Sequence, residues 1–353
     1  MYKLIMENFP LFQLIIFFLI SAAVTLLAGI TLAKTTDSID HRFGLGDALG
    51  GLILLGISGS LPEIAVVWSA ATHGHIPVII GTLLGGIAIQ TLIIVIFDLA
   101  VKGKKPLSYL VGSLELSFET IFAMVITALA VLAAFIPSTR GIFNIHPLSM
   151  VIFIAWILGL LVIDKIRNKP RFLQTAEDGL PGRKHKERRK AGTQSFYTGK
   201  TTLHIILVFI FASVLTLIAG FVLEESGTAI ADKLGIGSGI FAATFIALVT
   251  ALPEISTGLE SIFIGDNHLA ISDIMGGNAF MIVLFLLGDI VAGKPVLSSA
   301  GQLDISLGIL GIVMMSVYTF SFLFKLKKRH FRLGMDSYLE ILIYILGIFF
   351  FFR

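Results

Sequence analysis

Two glutamates occupy the same local setting in this 353-residue chain: Glu63 in Leu61-Pro62-Glu63-Ile64, and Glu254 in Leu252-Pro253-Glu254-Ile255. Both lie within long apolar runs, where a carboxylate costs a few kcal/mol and needs a partner. The proline beside each one removes an N–H and clashes with the carbonyl four residues earlier, that of Ser58 for Pro62 and of Val249 for Pro253. Those carbonyls become available as oxygen ligands, and Ser60 and Thr250 can add hydroxyls. Two carboxylates brought side by side repel unless a cation or protons sit between them. A hard divalent ion suits a shell of carboxylate, hydroxyl and carbonyl oxygens, and Ca²⁺ accepts irregular shells more readily than Mg²⁺. A protonated carboxylic acid bonded to a neighbouring helix is the structural alternative, but it leaves unexplained why both glutamates stand beside the same break.

The elements that must position these groups are membrane helices. The chain is 56% hydrophobic and only 14% charged, whereas soluble domains carry about a quarter charged residues. Apolar runs of spanning length predict an all-α membrane protein with ten transmembrane helices, at residues 11–33, 45–72, 76–100, 114–137, 147–164, 201–223, 238–264, 269–292, 304–324 and 336–352. The first run reads as a permanent span, because no small-residue cleavage site follows a short apolar core. The absence of cysteine excludes disulfides, thiolate metal sites and a cysteine nucleophile. The net charge of +3 points to no acidic partner and no nucleic acid, and no cofactor is expected. The bilayer and the transported cations are the expected partners.

Residues 44–98 align with residues 235–289 at a constant offset without a gap. Gly44 and Gly46 fall on Gly235 and Gly237, Gly74 on Gly265, Gly85-Gly86 on Gly276-Gly277, Ala88 on Ala279, and Asp98 on Asp289. Five spans separate equivalent points, so the two copies cross the membrane in opposite directions. The expected organisation is two inverted five-helix repeats, residues 1–164 and 201–353, with broken central helices and a basic cytoplasmic linker at 165–200. Secondary transporters built this way place their site near the midplane, where interrupted helices of the two repeats meet. With both termini outside, 21 of the 26 lysines and arginines lie on the cytoplasmic side, as the positive-inside rule requires. The expected location is the cell (inner) membrane.

These residues resemble the sodium/calcium exchanger family of the cation/Ca²⁺ exchanger superfamily. Family repeats read G-T-S-L-P-E followed by G-N-x-x-G-S-N-x-F-N. Here the first copy reads Ser58-Gly59-Ser60-Leu61-Pro62-Glu63, then Gly81-Thr82-Leu83-Leu84-Gly85-Gly86-Ile87-Ala88-Ile89-Gln90. The second reads Val249-Thr250-Ala251-Leu252-Pro253-Glu254, then Ser272-Asp273-Ile274-Met275-Gly276-Gly277-Asn278-Ala279-Phe280-Met281. The resemblance implies ten helices with the four repeat helices at the centre, Glu63 and Glu254 as the central Ca²⁺ ligands, and Ser60 and Thr250 as their hydroxyl and carbonyl neighbours. Ser58, Gly59, Gln90 and Asn278 complete the expected shell. Gly59, Ala251, Gly86, Gly277 and Met281 stand where the family carries oxygen-bearing side chains. That pattern weakens the case for Na⁺ as counter-ion and leaves protons to take its place. Asp273 shares a helix face with Gly277 and Met281 and could replace the missing carboxylate; a hydrated interfacial Asp is its structural alternative.

The implied function is secondary-active antiport of a divalent cation, Ca²⁺ first, against Na⁺ or H⁺ by alternating access, not an enzyme activity. Two other classes compete. Gly56-Ile57-Ser58-Gly59 matches the G-x-S-G of rhomboid-type intramembrane serine proteases, but the second repeat lacks it and no histidine falls at mid-membrane. A cation channel would need no counter-ion. His73, His75 and His268 are expected as solvated loop residues, Asp98 and Asp289 as structural groups, Glu115 and Glu119 at a helix N-terminus, and Glu260 along an access route.

Overall fold

The computed structural model describes residues 6, 8–43, 57–136, 144–167 and 199–351. Gly44, Gly46, Gly56, the start of the expected second span and the charged linker between 168 and 198 lie outside the described residues. The described chain is helical: α1 (Leu11–Phe43), α2 (Leu61–His73), α3 (Ile76–Ala100), α4 (Leu107–Val111), α5 (Leu114–Ala134), α6 (Pro147–Arg167), α7 (Thr202–Leu234), α8 (residues 238–250), α9 (Leu252–Phe263), α10 (Asn267–Ala292), α11 (Gln302–Phe324) and α12 (Met335–Phe351). Two short strands, Arg329–His330 and Leu333–Gly334, pair antiparallel before α12. Seven stretches among the described residues are long and apolar enough to cross a membrane: α1, α3, α5, α7, α8 with α9, α10 and α11.

Two helices run further than their apolar sequence suggests. The first expected span ends at 33 and the sixth at 223, but α1 continues to Phe43 and α7 to Leu234. At about 1.5 Å per residue each is about 50 Å long. The extensions are polar, and their hydroxyls satisfy themselves on the helix: Thr35 Oγ1 donates to Thr31 O at 2.8 Å, Ser38 Oγ to Lys34 O at 2.8 Å and Ser226 Oγ to Val222 O at 2.6 Å. Such back-bonding lets buried Ser and Thr remain helical. The two long helices pack along each other, so these faces meet protein rather than lipid. Gly235, in the left-handed conformation at φ 67°, ends α7.

Each proline marks a break at the same repeat position. Residues 57–59 are helical, Ser60 turns, and α2 begins at Leu61 with Pro62 in its first turn. In the second copy Ala251 turns between α8 and α9, with Pro253 in the first turn of α9. Proline is tolerated there because those N–H groups have no helical acceptor. The breaks are held reciprocally. Gly29 of α1 lies against Pro253, and Gly220 of α7 lies against Ala65 and the Pro62 carbonyl. A side chain at either glycine would collide with the opposite repeat's break.

The paired glycines behave differently in the two copies. In α3 a π-helical turn at Gly81–Gly85 packs on a second π-turn, Ala242–Ile246 of α8. Gly81 there meets Gly239, and Gly85 meets Ala243, too closely for a Cβ. Helix α10 passes through Gly276-Gly277 without interruption, and a Cβ at Gly276 would enter open space. Helix α3 is buried along most of its length, while α1, α6, α7 and α12 present Phe12, Leu19, Ile154, Phe211 and Ile345 outward, as lipid-facing helices do.

Candidate cation site between the two breaks

The local turn at Ser60 places Glu63 in the first turn of α2, and the turn at Ala251 places Glu254 in the first turn of α9. Both carboxylates turn inward: Glu63 is fully buried and Glu254 only 9% exposed. Gln90 of α3 donates from Nε2 to Glu63 Oε1 at 3.5 Å, and Thr250 borders the Glu63 carboxylate from the opposite repeat. Glu63 and the half-buried Asp273 lie within electrostatic reach of Glu254. Asn278 of α10 donates from Nδ2 to Thr91 Oγ1 of α3 at 3.2 Å. Four buried acceptors remain without a donor: Glu63 Oε2, Glu254 Oε2, Gln90 Oε1 and Asn278 Oδ1. Buried polar atoms are nearly always paired, so acceptors drawn from both repeats and left open together suit a cation.

The other expected ligands at the breaks are engaged in different ways. Ser58 is buried and its Oγ accepts from Thr36 Oγ1 of α1 at 2.9 Å. Ser60 is buried and its carbonyl accepts from the Ile64 N–H at 2.9 Å, closing the first turn of α2. Thr250 Oγ1 donates back to Ala247 O at 3.2 Å. Gly59 is exposed, and nothing would meet a Cβ there within 4 Å. The departures from the family pattern are linked in space. The buried Met281 directs its terminal methyl to the position that a side chain at Gly86 would need. A Cβ at Gly277 would stand 3.4 Å from Gln90 Oε1. An apolar group from one repeat thus fills the space beside a glycine of the other.

A family model described as sodium/calcium exchanger protein matches residues 13–164 and 204–353. The chain belongs to the sodium/calcium exchanger protein family. Among its relatives, the inner membrane protein YrbG of Escherichia coli (strain K12) is 26% identical over 268 residues, 75% of this chain and 73% of that one. Two solved structures share the fold. The H⁺/Ca²⁺ exchanger CAX superposes with a TM-score of 0.64 at 14% identity, covering 98% of this chain and 89% of that chain. The sodium-calcium exchanger NCX_Mj gives 0.59 at 15% identity, covering 96% and 99%.

Within this exchanger-family chain, several residues outside the motifs take structural posts. Asp98 ends α3 by accepting from the Leu107 N–H at 2.8 Å, the Gly334 N–H at 2.6 Å and Ser337 Oγ at 2.8 Å. Its repeat partner Asp289 accepts from the N–H groups of Val296 at 2.6 Å and His146 at 3.0 Å. Both tie down the loop that follows their helix, the structural role expected of them. Glu115 opens α5, but Glu119 lies one turn on and accepts from Ser272 Oγ of α10 at 2.7 Å, next to Asp273. Glu260 sits 3.9 Å from Lys34. Sequence reasoning missed Thr36, Thr91 and the Glu119–Ser272 pair. Buried hydroxyls among apolar residues carry no periodic signal, and a Glu in a first turn reads as a helix-dipole partner. The expectation for His73 and His75 also changes: neither is a solvated loop residue, since both lean on the fully buried Glu224.

Proposed function

We propose that the chain is a secondary-active antiporter that exchanges a divalent cation, Ca²⁺ first, for protons by alternating access. The site is built on Glu63 and Glu254, with Gln90, Asn278, Thr250, Ser58, Ser60, Gly59 and Asp273 around them. The observation that carries this reading is the set of four buried acceptor oxygens without donors, two from each repeat, on Glu63, Gln90, Glu254 and Asn278. The topology is ten spans as two inverted five-helix repeats in an inner membrane, with both termini outside. It is supported by the charge bias and by the reciprocal packing of Gly29 on Pro253 and Gly220 on Ala65. Family membership favours exchange over a protease or a channel.

Protons are the proposed counter-ion because Na⁺, with a single charge, depends on many well-placed oxygens, whereas a divalent ion is held chiefly by carboxylates. Gly59, Gly86, Gly277, Ala251 and Met281 supply none from their side chains, and Met281 occupies the space at Gly86. Deprotonating two carboxylates to admit a metal couples the fluxes directly. In proteoliposomes, Ca²⁺ uptake should follow an imposed pH gradient and respond little to a Na⁺ gradient. Saturable Na⁺-driven uptake that ignores the pH gradient would overturn the proton assignment.

A further inference from the structure

A second cluster of ligating groups lies about 15 Å along α2 from Glu63, counted at the helical rise over ten residues, and plays no part in the site above. Helix α2 ends at His73, and Gly74 turns the chain at φ 77° so that His75 follows directly. A residue with a side chain rarely adopts that φ. The turn sets the two imidazoles side by side, with ring centres 5.7 Å apart. Facing them is Glu224 of α7, fully buried within the second repeat's first helix. Glu224 Oε1 is 2.7 Å from His75 Nδ1, and Glu224 Oε2 is 3.5 Å from His73 Nδ1. Ser69 and Thr228 hydroxyls donate to the same carboxylate at 2.7 and 3.1 Å and fix it. One ligand atom from each of His73, His75 and Glu224 lies within 4.8 Å of the others.

We propose that His73, His75 and Glu224 bind a borderline divalent transition metal, with Zn²⁺ as the reference ion, and thereby join the α2–α3 link of one repeat to α7 of the other. Two imidazoles and a carboxylate are a known donor set for Zn²⁺, with a fourth position left to water. Imidazole nitrogen selects against Ca²⁺, so this site is chemically distinct from the oxygen cage at the breaks. In a tetrahedral site with bonds of about 2.0 Å the ligand atoms stand about 3.3 Å apart, so metal binding opens the 2.7 Å His75–Glu224 pair and draws in the pairs wider than that. Glu225 Oε1 lies 3.3 Å from His73 Nε2. When Nδ1 holds the metal, the ring Nε2–H donates a hydrogen bond to this carboxylate, which orients the ring.

The repeat does not impose this cluster. The constant offset places Ile264 and Asp266 at the positions of His73 and His75, and Ala33 and Lys34 at those of Glu224 and Glu225. On that opposite side Lys34 faces Glu260 at 3.9 Å, an ion pair where the first side has imidazoles. The donor set is therefore specific to one end of the molecule. If exchange proceeds by motion between the repeats, as the antiport reading holds, a metal bound here slows it.

The test titrates Zn²⁺ into the chelator-stripped, full-length chain in detergent, against a chromophoric competitor, with Co²⁺ as an optical probe. The expected result is a single Zn²⁺ per chain that persists in Glu63→Gln/Glu254→Gln and is lost in His73→Gln/His75→Gln. Glu225→Gln should weaken binding about 10–100-fold. Zn²⁺ binding that is absent, or unchanged by the histidine pair, overturns the site. Should the histidine variant fail to fold, Co²⁺ in the parent decides: tetrahedral ligand-field bands support the site, and a purely six-coordinate aquo-like spectrum rejects it. Histidine-dependent binding without slowed Ca²⁺ exchange would keep the site and overturn only its hold on the repeats.

Discussion

At the scale of single residues, the Glu63–Glu254 pair and Asp98 differ in what faces them. Glu63 and Glu254 face one another's surroundings with acceptors left open, whereas Asp98 is surrounded by donors from the chain itself. Asp98 holds together the end of α3, the start of α4 and the start of α12, and Arg329 Nη2 lies 3.9 Å from its carboxylate. Asp98→Asn retains one acceptor oxygen and turns the other into a donor against those N–H groups. It should lower stability by about 1–3 kcal/mol, seen as a reduced thermal midpoint in detergent, while the ratio of pH-driven to Na⁺-driven flux stays unchanged. A change in that ratio would place Asp98 on the ion path. The same division shows what the sequence made legible. Pro-Glu at matched positions singled out the two carboxylates that the fold buries in the first turns of α2 and α9. Thr36 and Thr91 could not be found that way, since their roles exist only once α1 and α3 meet the breaks.

At the scale of elements, the expected spans coincide with most of the long described helices, and the two overruns have one cause. Helices α1 and α7 overran their expected ends because hydropathy measures affinity for lipid, and their polar turns are buried against protein. The repeated glycine pairs also hid a difference. Gly85 is wedged against Ala243 where two π-turns cross, while its counterpart Gly276 borders open space in an unbroken helix. Equal letters at equal offsets cannot reveal that, because the neighbour belongs to another element. Gly85→Ala should therefore destabilise the fold by about 1–3 kcal/mol through overpacking. Gly276→Ala should be neutral or slightly stabilising, since Ala favours helix over Gly by about 1 kcal/mol. Thermal unfolding of the two variants side by side checks this; equal loss in both would contradict the assigned asymmetry.

At the scale of the whole molecule, two copies of one unit hold each other's breaks. Gly29 and Gly220 are separated by the same offset as Glu63 and Glu254, so the repeat reaches into α1 and α7, beyond the stretch first aligned. Each first helix supports the opposite break, and each break supplies one carboxylate. If these two carboxylates form one shared site, neither half transports alone. The direct measurement is radiolabelled Ca²⁺ uptake into proteoliposomes driven by a pH gradient, for the parent chain, Glu63→Gln and Glu254→Gln, each confirmed as folded and reconstituted at equal density. Each substitution removes charge with little change of volume. Both variants should lose uptake to the level of empty liposomes, and wild-type uptake by either one would contradict a site shared between the repeats.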